Sequence, residues 1–542
     1  MQRTATATVT GMGMSTCEDH ASCPASPRLA PIGGTTLSIP LTALGAAIVL
    51  FAQSGAAQQA AESGTRRAIS VVPYASAAAT YTDNVHLTDA DRKSDLMLAL
   101  TAGIRISGEG SRVKGYLNYA LTGQTYADGS KARTFQNALN TFGSVEAIDN
   151  LAFLDFSGSI SQQTISAFGV QTDGSGIRNA NQSEVSTFRL SPYVRGQFAG
   201  SANYEARYTW TTTHTGTANA SDARVADALV KLSGRVPSGQ LGWSVEASRQ
   251  SVDFTTGRST EAGRLAGTLS YPVSKQLVVS MTGGRDSNNY TNAGKQSHSV
   301  VGAGVNWSPA PTTTLTANAS KQSFGQGHSL SFEHRTPRTI WRLADSRGVS
   351  TTPGQLISTS VGSVYDLYFS QFASTEPDPI KRAQMVTDFL QTRGINPGAP
   401  VTAGYLTSAV LLQRRQDASF ALLGVRDTVT FLASRSNSRR LDTLTGVADD
   451  LLNSTSITQQ GFSVSYAHRL TPQTALNAIA SQQRTQGSAT QPETSLRTLS
   501  LNVTSTVGRH ATATVAARRS VFDSPTVPYT ESALTGSLTV QF

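Results

Sequence analysis

Glu531 to Phe542 reads ESALTGSLTVQF, and this stretch decides the fold. Leu534, Gly536, Leu538, Val540 and Phe542 share one face of an extended strand, and Ala533, Thr535, Ser537, Thr539 and Gln541 share the other. Side chains alternate across a strand, so one face is apolar and the other small and polar. The terminal aromatic separates two readings of that pattern. A soluble sandwich gains nothing by ending a strand on an exposed Phe. An outer-membrane barrel places it at the lipid interface, where Leu538, Val540 and Phe542 form the insertion signal that the barrel assembly machinery reads.

Working outward, the same alternation recurs. Leu96, Leu98, Leu100, Ala102, Ile104 and Ile106 share a face, with Thr101 and Arg105 opposite. Tyr204, Ala206, Tyr208 and Trp210 alternate with Asn203, Glu205, Arg207 and Thr209. Further strands of this kind cover Arg112–Tyr126, Leu241–Ala247 and Ser299–Trp307. The strands run to roughly 10–14 residues, the length a tilted membrane strand requires. Tight turns rich in Pro, Gly and Thr (GRVPSGQL, YPVSKQL, WSPAPTTTL, RTPRTIW, RLTPQTAL, VGRHATAT) alternate with longer polar connections such as 164–183, 287–296, 436–456, 485–493 and 523–530. Short turns on one side and long loops on the other are the asymmetry of outer-membrane barrels. The count comes to about 22 strands, within a range of about 18–24. The expected fold is all-β, a large transmembrane antiparallel barrel.

Composition agrees without deciding. The chain has 542 residues, 38% of them hydrophobic, and a mean hydropathy of −0.20. That excludes a helical membrane protein and leaves a barrel open, because only alternate barrel residues face lipid. The apolar run LSIPLTALGAAIVLFA (37–52), followed by small residues, reads as a secretory signal peptide over residues 1–57, cleaved after Ala56 or Ala57. Its long leader points to a true start at Met12, Met14 or later. Residues 58–69 form a periplasmic spacer and 70–542 the barrel. Both cysteines, Cys17 and Cys23, precede the cleavage point, so the mature barrel has no disulfide. The net charge is +9, and the charges of Arg3, Arg28, Glu18 and Asp19 cancel within the leader. Export argues against nucleic acid and for an anionic partner outside the cell.

One connection breaks the pattern. Residues 351–407 form a long loop on the outer side whose stretch DPIKRAQMVTDFLQTRG predicts a helix at about 379–393: Asp378 caps, Pro379 sits first, and Gly394 ends it. This insert either constricts the lumen or caps the surface. Aromatics at strand ends (Tyr81, Tyr126, Tyr208, Trp210, Tyr271, Trp307, Trp341, Tyr466 and Phe542) are expected in the interfacial girdles.

No catalytic or metal-binding constellation is present, and no cofactor is implied. The histidines are scattered, and the HExxH, GxSxG and CxxC patterns are missing. The informative set is basic. Arg105, Arg112, Lys114, Arg189, Arg195, Arg207, Arg264, Arg342 and Arg426 all have lumen-facing parity, and an Arg-rich interior favours anions. Glu205 and Glu246 would offset part of it.

The chain resembles the outer-membrane β-barrel proteins associated with exosortase/PEP-CTERM systems and encoded with exopolysaccharide gene clusters. The resemblance rests on TYTDNV (80–85), VNWSPAPTTTL followed by FEHRTPRTIWRL, the RGINP exit of the insert, LLGVRDTVTF, GFSVSYAHRLTPQTAL and the closing YTESALTGSLTVQF. It implies an outer-membrane pore or conduit for exopolysaccharide and carries no family active site. Two other expectations stand beside it: a structural barrel plugged by the 351–407 insert, and a general anion-favouring porin.

Overall fold

The computed structural model describes residues 69–172, 177–198, 202–217, 221–236, 239–291, 294–351, 382, 386, 404–441, 450–487 and 491–542. The first strands are β1 (Ile69–Thr82), β2 (Asp95–Glu109), β3 (Val113–Tyr126), β4 (Thr134–Ile148), β5 (Ala152–Thr164), β6 (Gln182–Phe198) and β7 (Ala202–Thr215). Then follow β8 (Ala223–Arg235), β9 (Gly242–Phe254), β10 (Thr260–Pro272), β11 (Leu277–Asn288), β12 (Gln296–Ala310), β13 (Thr313–Gln322), β14 (Gly325–Arg335) and β15 (Thr339–Ser350). The last are β16 (Leu411–Leu423), β17 (Asp427–Arg440), β18 (Ser456–Arg469), β19 (Thr474–Gln486), β20 (Thr494–Val507), β21 (Ala511–Asp523) and β22 (Tyr529–Gln541). A single helical turn, α1 (Asp450–Asn453), precedes β18.

Each strand pairs antiparallel with the next, and β22 returns to β1, so the 22-stranded sheet closes. The seam runs from Tyr74 opposite Gln541 to Thr82 opposite Ala533. Phe542 N–H donates to the Pro73 carbonyl at 2.9 Å. Inside the seam the Thr80 and Thr535 hydroxyls share a 2.9 Å hydrogen bond. Thr82 donates to Glu531 at 2.9 Å, and Glu531 also receives the Arg518 guanidinium at 2.8 and 2.9 Å. The TYTDNV stretch therefore finishes the closure. Asn84 Nδ2 donates to the Thr88 and Thr530 carbonyls, which locks the turn after β1 against the last strand.

The polarity is inside out relative to a soluble protein. Leu98, Leu100, Phe156, Leu265, Met281, Val301 and Leu499 are exposed on the outside. Their strand neighbours Ala99, Thr101, Ser157, Arg264, Thr282, Gly302 and Ser500 point inward by the period-two rule. Water would penalise such an outer surface by about 25 cal/mol per Å², whereas hydrocarbon does not. Exposed aromatics border this belt. Tyr271, Trp307, Trp341, Tyr466 and Phe542 lie toward the short turns, Tyr81 and Trp210 lie toward the long loops, and Tyr208 is mid-strand. The barrel is an outer-membrane barrel. Leu538, Val540 and Phe542 all lie on its lipid face.

Turn chemistry explains the short side. Thr336-Pro337-Arg338-Thr339 and Thr471-Pro472-Gln473-Thr474 are the same device. In each, the first Thr hydroxyl accepts the backbone N–H of the third and fourth residues, while Pro fixes φ at the second position.

Two expectations change, and others fall outside the described residues. Tyr126 is not a girdle residue: its register opposite Met97 turns it inward, where it is only 6% exposed within an apolar cluster. The alternation of short and long connections fails most sharply on the long-loop side, where Ser323-Phe324 joins β13 to β14. Gly325 at φ 102° permits that tight reversal. Residues 1–57, the spacer up to 68, and most of the insert with its helix at about 379–393 lie outside the described residues.

The lipid-facing assignment makes a comparison available. Leu501, mid-strand and outward, replaced by Arg is expected to destabilise the folded barrel by about 2–4 kcal/mol, whereas Asn502→Arg, one residue on and facing the lumen, costs far less. Urea-dependent folding into lipid bilayers measures both. Glu531→Ala strands the buried Arg518 and is expected to cost about 3–5 kcal/mol in the same assay.

Candidate functional site: the lumen wall and the loops at its outer mouth

The lumen wall is built from the inward residue of every strand pair, and Ser, Thr, Asn and Gln are the commonest of these. They bond to one another across the ladders. The Thr101–Thr122, Ser191–Thr209 and Thr268–Thr282 hydroxyl pairs lie at 2.8, 2.8 and 2.9 Å, and Ser465 donates to Asn477 at 3.0 Å. Such pairs face one another because directly opposed residues on one face of an antiparallel ladder are near neighbours. A wall of short hydroxyls, many of them paired with one another, offers a polar solute many weak contacts and few strong ones.

Register places Arg105, Lys114, Arg189, Arg195, Arg207, Arg264 and Arg342 on this wall. Arg112 and Arg426 lie elsewhere. Both occupy short turns at the inner rim, where the strand parity that pointed them inward no longer applies. Arg112 is more than half exposed and pairs with Asp149 of the neighbouring turn at 2.8 Å.

The wall arginines differ in what holds them. Arg207 bonds Asp155 and Glu205, both at 3.0 Å, and its guanidinium lies over the Tyr193 ring at 3.8 Å. Tyr193 stacks on Phe153 at 5.0 Å, and Arg195 lies over Phe153 at 4.3 Å. Arg195, Phe153, Tyr193 and Arg207 thus form a continuous cation–aromatic ladder across β5–β7 toward the inner rim. Arg105 lies over Tyr74 at 4.8 Å. Arg342 faces Glu333 in register, and Glu246 faces Lys231. Further wall cations sit beside acids: Arg415 with Asp417 at 3.0 Å and Arg518 with Glu531 at 2.8 Å. The wall carries both signs. Parity would have found Arg415 and Arg518 from their strands, but the acids that offset them depend on register, which a single strand does not reveal.

Toward the outer end a recess of about 420 Å³ opens between β8 and β15, lined in part by Asp227, Arg264, Asp286 and Tyr290. Arg264 and Asp286 face each other in register, yet Arg264 Nε and Asp286 Oδ1 are buried without a hydrogen-bond partner. Tyr290 is in the β11–β12 loop. Burial, together with the carboxylates of Asp286 and Asp227, pushes its phenol up to about 12.

The outer mouth is crossed by the β5–β6 loop, expected from its sequence to be a plain polar connection. Residues 165–172 and 177–181, between β5 and β6, reach β16–β22 and the loop after β1. Asp450 of α1 accepts the Ser166 hydroxyl at 2.8 Å and the Ala167 N–H at 2.6 Å. Gln483 of β19 donates to Gln171 at 2.7 Å, and Tyr529 of β22 donates to the Gln171 carbonyl at 2.6 Å. Leu406 N–H, just before β16, donates to the Thr164 carbonyl at 3.1 Å. Two apolar clusters anchor the crossing inside the barrel. Ile177 packs with Val85, Leu87, Met97, Tyr126, Leu496, Phe522 and Tyr529, and Ala167 packs with Tyr405, Ala409, Leu411, Leu451 and Ile457. Below this layer the wall is polar again. Among the described residues no group of three or more His, Cys, Asp and Glu stands close enough to hold a metal.

No family model matches the chain, and no curated protein matches it. Solved structures do resemble it in shape. The siderophore receptor PirA from Pseudomonas aeruginosa is 9% identical, with 88% of this chain and 81% of that one covered at a TM-score of 0.43. The FrpB iron transporter from Neisseria meningitidis is 8% identical, with 87% and 81% covered at 0.47. A BenF-like porin from Pseudomonas fluorescens is 7% identical, with 87% and 99% covered at 0.33. At such identities the likeness is one of barrel shape alone.

The phenol of Tyr290 supplies a titration test. Its proton stays on in the fold to about 12, whereas the unfolded chain loses it near 10.0. The associated stability is therefore full below pH 10 and is lost as pH rises through 12. The phenolate absorbance in a difference titration against Tyr290→Phe is expected to centre near 12, and Asp286→Asn is expected to lower that midpoint.

Proposed function

We propose that this barrel is a gated outer-membrane pore for hydrophilic solutes, and that its cargo is an anionic exopolysaccharide. The observation that carries the pore reading is the hydroxyl-lined lumen wall. Short polar side chains that satisfy one another leave a wide barrel wet and hold a passing solute weakly, and conduction needs binding weak enough to permit exit. The described parts of the β5–β6 loop, residues 165–172 and 177–181, are the gate in this reading. It is held at the mouth by a few hydrogen bonds from α1, β19 and β22 and by two small apolar clusters, an arrangement that can open locally without disturbing the ladder.

The cargo class rests on the family resemblance and on the wall arginines. Arg189 and Arg342 make no ion pair among the described residues, so their guanidinium groups are available to a carboxylate-bearing chain. Arg207, Arg415 and Arg518, already matched by acids, contribute less.

Planar-bilayer recording of the mature chain tests the reading. Replacing residues 166–180 by a short Gly-Ser link is expected to raise the single-channel conductance severalfold. An acidic exopolysaccharide is expected to block that current, and Arg189→Gln with Arg342→Gln to weaken the block. Lack of conductance in both forms would contradict a pore. Conductance without polymer block would leave a general porin.

A further inference from the structure

The outside of the barrel holds a feature that neither the ladder nor the lumen uses. On β15–β21, at the top of the apolar belt, the lipid-facing row turns basic. Register links it strand by strand: Arg347 faces Arg414, Gln416 faces Arg435, Arg435 faces Gln460, Gln460 faces Arg484, and Gln482 faces Arg497. Arg519 follows, opposite Leu499. Arg224, Arg249, Arg285 and Lys321 of β8–β13 also point outward, but the arc beyond β21 is different. No Lys or Arg of β22 or of β1–β7 points outward; Arg105, Lys114, Arg189, Arg195 and Arg207 all face the lumen.

Three members of the row have acidic partners. Arg414 bonds Asp345 at 2.7 Å, Arg497 bonds Asp523 at 2.5 Å, and Arg484 pairs with Glu493. Arg347, Arg435 and Arg519 have none among the described residues. Like charges directly opposed across a ladder repel, as Arg347 and Arg414 do. Unpaired guanidinium groups beside hydrocarbon are costly and persist where an anion meets them. Below Arg435 the surface forms a recess of about 470 Å³, with the small Ala418 and Ala433 beside Phe462. Cations and amides thus sit above a shallow apolar hollow. That is the complement of a lipid whose phosphate lies at the interface and whose acyl chain begins just beneath it.

We propose that this arc binds a phosphorylated lipid of the outer leaflet, with the Arg435 and Arg484 guanidinium groups on the phosphate and the Ala418–Ala433–Phe462 hollow under the first part of an acyl chain. Arg makes paired, charge-assisted hydrogen bonds to phosphate oxygens, and Gln416 and Gln460 beside it can reach sugar or phosphate oxygens.

Native mass spectrometry of the full mature barrel in detergent, incubated with lipid A, with lipid A stripped of its phosphates, or with phosphatidylglycerol, tests this. The barrel is expected to retain lipid A and to lose it when the phosphates are removed. Arg435→Gln with Arg484→Gln is expected to cut retention about tenfold or more, as loss of charge-assisted bonds predicts. The lumen control Arg189→Gln should leave retention unchanged, and heat-modifiable gel migration confirms that each variant is folded. Phosphatidylglycerol retained as well as lipid A would widen the ligand to phospholipids and keep the phosphate site. Equal retention of dephosphorylated lipid A, undiminished binding by the folded double variant, or a dimer that buries the row in place of lipid would each overturn the proposal.

Discussion

Hydrocarbon offers no hydrogen bonds, so every backbone N–H and C=O that crosses it needs a partner within the sheet. The rest of this structure follows from that constraint. A ladder with edges fails, and 22 antiparallel strands closed by β1 and β22 succeed. The seam joins the ends of the barrel sequence, and it is correspondingly over-determined. Besides the ladder it has the Thr80–Thr535 hydroxyl pair, the Thr82–Glu531–Arg518 chain and the Asn84 side chain across to Thr530. Closure also fixes the sign of every side chain. Once the seam is set, each residue is lipid-facing or lumen-facing by parity, and a slip of one residue would invert an entire strand.

This is why so much of the fold was legible in ESALTGSLTVQF and its relatives along the chain. Period-two alternation survives translation into structure because lipid enforces it on every strand. The Thr-Pro-x-Thr turns were equally legible, since Pro and a hydroxyl at fixed spacing dictate the reversal locally. What escaped the sequence depends on more than one strand at a time. Tyr126 sits at a strand end like the girdle aromatics, and only its register against Met97 shows that it points inward. Arg112 and Arg426 kept the right parity but fell in turns, where parity has no meaning. The acids facing the wall arginines, such as Asp155 beside Arg207, are long-range neighbours. The crossing loop at 165–181 carries no motif at all. Its partners Asp450, Gln483 and Tyr529 lie some 300 residues away in sequence, as the 284-, 312- and 358-residue separations of those bonds show.

Inside and outside divide the chemistry. The lumen wall pairs its hydroxyls and many of its charges, which suits passage rather than tight capture. The outer rim is where apolar clusters gather within the barrel, because the crossing loop needs something other than a ladder to hold it. The outer surface is apolar to the level of Arg435 and carries basic residues above it on strands from β8 to β21, but not on β22 or β1–β7. That asymmetry gives the barrel two different sides toward the membrane, although its ladder is nearly uniform around the circumference.

Closure in the stated register is the claim on which these assignments stand, and cysteine cross-linking tests it directly. Cys17 and Cys23 are the two cysteines of the sequence, so a barrel begun at Gln58 has no thiol of its own. Thr80→Cys with Thr535→Cys is expected to form a disulfide in the membrane-inserted protein, because the two residues are directly opposed on the lumen side. Thr80→Cys with Gly536→Cys should form none, since residue 536 faces lipid. Cross-linking of the second pair in preference to the first, or of neither in folded barrels, would contradict the closure described.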